Sequence, residues 1–122
     1  MRQYKRADRL SGQILRDISE LFHTDMPVPG NGMLTFTRVT LTDDLRYAKV
    51  YYSYLGSEED RALVARYLEQ EKNHVRSRIG RNLRVRHIPE LTFVFDKSIE
   101  DSIRIEQLLN EIKRERKDDE QD

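Results

Sequence analysis

The apolar residues of this chain change their period several times, and each change marks an element. Over residues 2–22, Ala7, Leu10, Ile14, Ile18 and Leu21 recur at steps of three and four, the spacing of one helix face. Arg2, Lys5, Arg6, Arg9 and Arg16 fall on the side facing away from them. Two prolines and two glycines within 23–32 end that helix in a loop. Residues 33–42 are rich in β-branched and aromatic types. Leu34 and Phe36 share one parity while Val39 and Leu41 share the other, so a bulge is expected near Thr37–Arg38. "TDDL" reads as a hairpin connection, and residues 46–55 as a second strand. Its alternation puts Ala48, Val50, Tyr52 and Tyr54 on one face, with Tyr47, Lys49, Tyr51 and Ser53 on the other.

A long helix is predicted after Gly56. Ser57 is placed to cap it, and Glu58, Glu59 and Asp60 suit the positive end of its dipole. Val64, Leu68, Val75 and Ile79 form its apolar stripe, but the member expected between Leu68 and Val75 is missing. Glu71, Lys72 and Asn73 stand there, and asparagine tolerates the left-handed conformation, so a break or kink is expected. Beyond it Val75, Ile79 and Leu83 share a face, with Arg78, Arg81 and Arg84 largely opposite. Pro89 stops the helix and biases Ile88 toward an extended conformation. Leu91, Phe93 and Phe95 alternate with Thr92 and Val94 as a third strand. Ser98 with Asp101 resembles a capping box, and Ile105, Leu108, Leu109 and Ile112 support a final helix. The pattern predicts one domain over residues 1–114 and a charged, disordered tail over 115–122.

Composition narrows the class. In 122 residues, 37% are hydrophobic and 36% charged, which predicts one modest core under a heavily charged surface. The absence of cysteine removes disulfides, thiolate catalysis and zinc–cysteine sites, and fits a reducing compartment. No stretch is apolar enough to span a membrane and the first ten residues carry no signal region, so a soluble cytoplasmic protein is expected.

Charge changes the picture more. The formal net charge is zero, yet residues 1–16 and 74–88 together hold ten basic side chains and one acid, a net of +9. The other 91 residues therefore carry −9. Segregation of this kind can orient a protein on a polyanion. Arg76, Arg78, Arg81, Arg84 and Arg86 have no acid among them. A guanidinium holds two phosphate oxygens and keeps its charge, so phosphate contact is the sharp reading of that cluster and a solvated, salt-bridged helix face the bland one. For the N-terminal stripe the two readings are evenly balanced. A continuous footprint requires both patches on one side of the molecule.

The remaining candidates are weaker. Tyr47, Tyr51, Tyr52 and Tyr54 suit base stacking, but tyrosine favours strands and half of these must face the core; Tyr51, beside Lys49, is the best placed. Arg46 and Lys49 suit a peripheral phosphate contact. His23, His74 and His87 lack companions at ligand spacing, so no metal site is expected, and "PGNG" reads as a turn rather than a nucleotide loop. No nucleophile, base and orienting group stand together, so neither an enzyme nor a cofactor is expected.

Two stretches carry a resemblance. "DDLRYAKVYYSYL" and "VRSRIGRNLRVRHIPELTFVFDKS", with Arg9 and "ISELFH" in the leading helix, resemble the ribosome-binding factor A family of bacteria and plastids from Arg6 to about Leu109. The resemblance implies an α+β, type II KH-like fold: a three-stranded sheet with helices on one face, in the order α-β-β-α(kinked)-β plus a C-terminal helix. It implies a non-enzymatic assembly factor that binds the free 30S subunit near the decoding-centre neck and assists maturation of precursor 16S ribosomal RNA ends, particularly in the cold; a monomer is expected. Arg76, Arg78, Arg81, Arg84 and Arg86, aided by Arg6, Arg9 and Lys49, would then contact the RNA. The family lacks the G-x-x-G loop of ordinary KH domains and carries an Ala-x-Gly kink where this chain has Glu71, Lys72 and Asn73. The alternative is a protein-interaction module docking an acidic protein partner through its basic face.

Overall fold

The computed structural model describes the chain over residues 2–121, and the side chains of residues 6–98, 103–104 and 106–114. The order is α1 (Arg2–Thr24), β1 (Met33–Leu41), β2 (Tyr47–Leu55), α2 (Glu58–Gly80), β3 (Glu90–Phe95) and α3 (Ser98–Gln121). β1 pairs antiparallel with β2, and β2 pairs parallel with β3, giving a mixed sheet in the order β1-β2-β3. α1 packs on β1, α2 on β3, and the two helices meet each other. This is the α+β, KH-like arrangement that the resemblance implies.

The core follows from the two periodicities. Ile14 and Ile18 of α1, Val64, Leu68 and Val75 of α2 and Val50 of β2 are fully buried. Each such side chain contributes about 1.5–3 kcal/mol relative to an exposed one. Phe22 tilts against Phe36 at 4.9 Å between ring centroids, and Phe36 against Phe93 at 6.1 Å, so aromatic contacts link α1 to the sheet. The inner face of β2 is Ala48, Val50, Tyr52 and Tyr54, all buried. Its outer face carries exposed Tyr47 and Lys49 and half-buried Tyr51, while Ser53 is buried.

The bulge occurs where the parity slips. Phe36 pairs with Tyr52 and Arg38 with Tyr51, so Thr37 is the extra residue. The slip lets both Phe36 and Val39 reach the core. Ser57 caps α2, accepting from the N–H of Asp60 at 3.1 Å, with Glu58, Glu59 and Asp60 in the first turn.

Three expectations are corrected. α2 runs unbroken from Glu58 to Gly80, and Asn73 is not left-handed; among the described residues Leu45 is the only non-glycine with positive φ. The interval from Leu68 to Val75 is a heptad, so both reach the core without a break, and half-buried Glu71 and Lys72 occupy the turn between. Next, α2 ends at Gly80, so Arg84 and Leu83 lie in a loop and Arg81 caps the helix. Ile88 folds back onto Gly80, and any Cβ there would collide with its side chain. Finally, α3 is helical through Gln121, across the segment expected to be disordered. Ile103, Leu108, Leu109 and Ile112 of α3 are exposed rather than packed, while Ile105 and the capping-box partner Asp101 lie outside the described side chains.

Candidate nucleic-acid interface

The two basic segments meet on one side of the fold. α1 brings Arg6 and Arg9 alongside the loop after α2, which carries Asn82, Leu83, Arg84 and Val85, around a cleft of about 370 Å³. A second cleft, of about 600 Å³, lies between Arg6, the hairpin residues Asp44–Arg46 and the stretch Val85–His87. Arg46 and His87 continue into a third recess with Tyr47, Arg76, Ile88 and Glu90. Arg6, Arg9, Arg46, Arg84, Arg86 and His87 thus line one connected set of recesses, in which Asp44 and Glu90 are the acids. Arg2 and Lys5 lie outside the described side chains.

The hairpin between β1 and β2 is held for this purpose by local bonds. Asp44 Oδ1 accepts from the Thr42 hydroxyl at 2.6 Å and from the Arg46 N–H at 3.1 Å. These bonds, the Thr42 hydroxyl first, hold the Asp44 carboxyl below its ordinary range. Leu45 adopts φ 61°, a conformation that costs a side-chain-bearing residue about 1–3 kcal/mol and persists where its surroundings over-determine it. That conformation sets Leu45 into both neighbouring clefts. Arg46, the next residue, lies outside the arginine run and reads in sequence as a peripheral contact; the hairpin, folded against the loop after α2, brings it into the clefts.

The five arginines of the run do not share one role. Arg76 Nε donates to the carbonyls of Ile88 and Pro89 at 3.2 and 3.1 Å, and its Nη2 to Ile88 at 2.6 Å. Arg76 therefore ties α2 to the entry of β3. It satisfies carbonyls that precede the first strand bond, while Glu90 N–H reaches the Arg46 carbonyl at 2.8 Å. Arg78 Nη2 pairs with Asp25 at 2.8 Å, joining α2 to the segment after α1. Arg78 and Arg81 line a small polar recess with Asp17, Glu20 and Asp25. Acids absent from the neighbouring sequence thus arrive from α1 and the residue that follows it. Arg81, Arg84 and Arg86 are exposed.

Lys49 sits apart from the clefts. It is exposed at the centre of the outer sheet face, level with Thr40 of β1 and Thr92 of β3. Glu71, Lys72 and Asn73 lie in mid-helix, where Lys72 pairs with Glu69 at 2.7 Å. His23, His74 and His87 are all exposed. Among the described residues, no three His, Asp or Glu side chains gather so as to hold a metal ion, and no helix is long and apolar enough to cross a membrane.

Known proteins resemble this chain in sequence and fold. Residues 6–109 match the family described as "Ribosome-binding factor A". The ribosome-binding factor A of Thermodesulfovibrio yellowstonii is 44% identical over 114 residues, covering 93% of this chain and 96% of that one. The solution structure of a putative ribosome-binding factor A from Thermotoga maritima is similar at 38% identity and a TM-score of 0.64, over 78% of this chain and 91% of that one. A homology-built Thermus thermophilus ribosome-binding factor A, fitted into a cryo-EM map of a 30S complex, shares the fold at 24% identity and a TM-score of 0.57, over 71% of this chain and 91% of that one.

Proposed function

This chain belongs to the ribosome-binding factor A family, and from that premise we propose that it docks on immature 30S subunits through the basic clefts and assists maturation of precursor 16S ribosomal RNA ends. The observation that carries the reading is the convergence of Arg6, Arg9, Arg46, Arg84 and Arg86, distant in sequence, around connected recesses. Exposed guanidiniums without a carboxylate at ion-pair distance are free to take up phosphate oxygens. The protein holds an RNA junction in a shape that permits processing and then leaves, without catalysis of its own. A monomer acting in the cytoplasm, with its greatest effect in the cold, is part of the same reading.

Arg84 and Arg86 carry the largest share of the binding, with Arg6, Arg9 and Arg46 lining the same clefts and exposed Arg81 at their edge beside the acids of α1. Arg76 and Arg78 contribute through the fold, since their guanidiniums already hold protein oxygens. Cosedimentation with precursor 30S subunits across a salt series tests this. The Arg84→Ala, Arg86→Ala double variant is expected to bind more weakly and to lower the salt slope by about 1.5–2, the value for two lost phosphate contacts. Parental binding by a folded double variant would overturn the cleft assignment. Binding that survives digestion of subunit RNA would favour an acidic protein partner instead.

A further inference from the structure

The recesses around Arg46 and His87 open at Tyr47 onto the outer face of the sheet, the face that α1 and α2 leave uncovered. On that face Tyr47 and Lys49 are exposed and Tyr51 is half-buried. Arg38 of β1, exposed and level with Tyr51, lays its guanidinium over the ring, 4.0 Å from the centroid. Thr40 and Thr92 flank Lys49, and Val94 stands beside Tyr51.

We propose that this open face is a second RNA-contact surface, taking a short single-stranded segment that continues from the basic clefts. The proposal rests on the reading of those clefts as the primary RNA site. Alternate residues of a strand stand about 7 Å apart on one face. Tyr47, Lys49 and Tyr51 therefore repeat an aromatic, cationic, aromatic series along one line, wide enough to seat unstacked bases in turn. Every base has a π-face, so a sheet that offers rings and cations without shaped pockets reads single strands with little sequence preference. The planar cation already resting on Tyr51 marks the site chemically: a base can stack on the exposed side of the Arg38 guanidinium or displace it from the ring. A duplex buries its base faces and meets no groove-reading element here. A protein partner would need a broad apolar area, whereas among the described residues Val94 is the aliphatic side chain at the centre of this face and exposed Met33 and Leu55 stand paired only at its far end. Glu90 beside Tyr47 and Asp96 near Arg38 bound the track at its two ends.

Fluorescence anisotropy of the full chain with a short oligouridine, and with an RNA hairpin duplex, tests the surface. Tyr51→Leu is expected to weaken oligouridine binding about five- to 150-fold, the range for loss of one stacked base, and Tyr51→Phe to stay near parental. Lys49→Gln, at an exposed position that the fold does not need, is expected to lower the salt slope by about 0.7. Each variant's thermal midpoint is measured alongside. If Tyr51→Leu does not fold, Lys49→Gln with Arg38→Gln decides the matter by the same readout. A folded Tyr51→Leu variant, or a folded Lys49→Gln, Arg38→Gln variant, that binds oligouridine like the parent overturns the proposal, and so does a preference for the duplex. Loss of 30S binding in the Arg84, Arg86 variant, combined with unchanged oligouridine binding in the sheet variants, sinks this surface alone. The reverse pattern sinks the clefts and leaves the sheet site standing.

Discussion

The hydroxyl of Thr37 donates to Oδ2 of Asp96 across 2.8 Å, joining the bulge of β1 to the end of β3 over the strand that separates them. The bulge frees Thr37 from the ladder, and Asp96 is held in place by its own N–H on the Tyr52 carbonyl at 2.6 Å. Asp96 Oδ1 also accepts from the N–H of Ser98, the first residue of α3. One carboxylate therefore fixes the sheet's width at this end and starts the last helix.

Thr37→Val removes the donor at nearly constant shape. It is expected to lower stability by about 1.5 kcal/mol, the lower end for a bond to a charged acceptor at a partly exposed site. Urea denaturation measures the change; a midpoint equal to the parent's would show that the clasp contributes nothing. The bulge itself should survive, because Phe36 and Val39 both depend on it for burial.

The same carboxylate makes stability depend on pH. Ser98, then Thr37, hold Asp96 down at about 2, against an ordinary value of 3.8. A group with a lowered folded pKa stabilises the protein above its unfolded value, and that contribution is lost as pH falls through the folded one. The contribution is therefore full above about pH 4 and disappears between 3.8 and about 2. Denaturation midpoints measured from pH 5 to pH 2 should fall less steeply for Asp96→Asn than for the parent. Parallel curves would assign the acid loss to other carboxylates.

Arg76 and Arg84 should separate stability from binding. Arg76→Ala strands the half-buried Ile88 carbonyl and the Pro89 carbonyl, and is expected to destabilise by about 2 kcal/mol, as for bonds to a charged donor. Arg84→Ala, at an exposed loop position, is expected to change stability by less than about 0.5 kcal/mol while weakening 30S binding. Thermal melts and cosedimentation on both variants check the pair. Equal effects of the two on stability would refute the division of roles.

The apolar stripe of α3 should be neutral for the core. Leu108 and Leu109 are 54% and 52% exposed. Leu108→Lys with Leu109→Lys is expected to shift stability by less than about 0.5 kcal/mol, the range for surface changes away from special features. A cooperative loss of several degrees in the melt would mean that α3 docks on the domain in solution.

Much of this architecture was legible in local pattern. The i, i+4 spacing of Ile14 and Ile18, the alternation of Ala48, Val50, Tyr52 and Tyr54, the parity slip at Thr37 and the cap at Ser57 each depend on neighbours in sequence, so each could be read there. The segregation of charge into residues 1–16 and 74–88 was equally plain. The gap at Glu71–Asn73 misled because a missing apolar residue in a stripe does not oblige the backbone to break. The heptad from Leu68 to Val75 keeps both side chains on the buried face of one continuous helix.

Tertiary structure alone decided which charges are available. Asp25 reaches Arg78 from 53 positions away, and the Ile88 and Pro89 carbonyls claim Arg76 because the loop over 81–87 brings the chain back along α2. The same folding carries Arg6, Arg9 and Arg46 to Arg84 and Arg86, joining patches that sequence shows only as separate runs. The physical reason is range. Helix and strand patterns arise from contacts a few residues apart, whereas an arginine's partner is whatever oxygen the packed chain brings within a few ångströms of it. Sequence by itself determined that this protein carries two basic segments on a mixed α+β frame; packing decided that they form one surface and which guanidiniums remain free to use it.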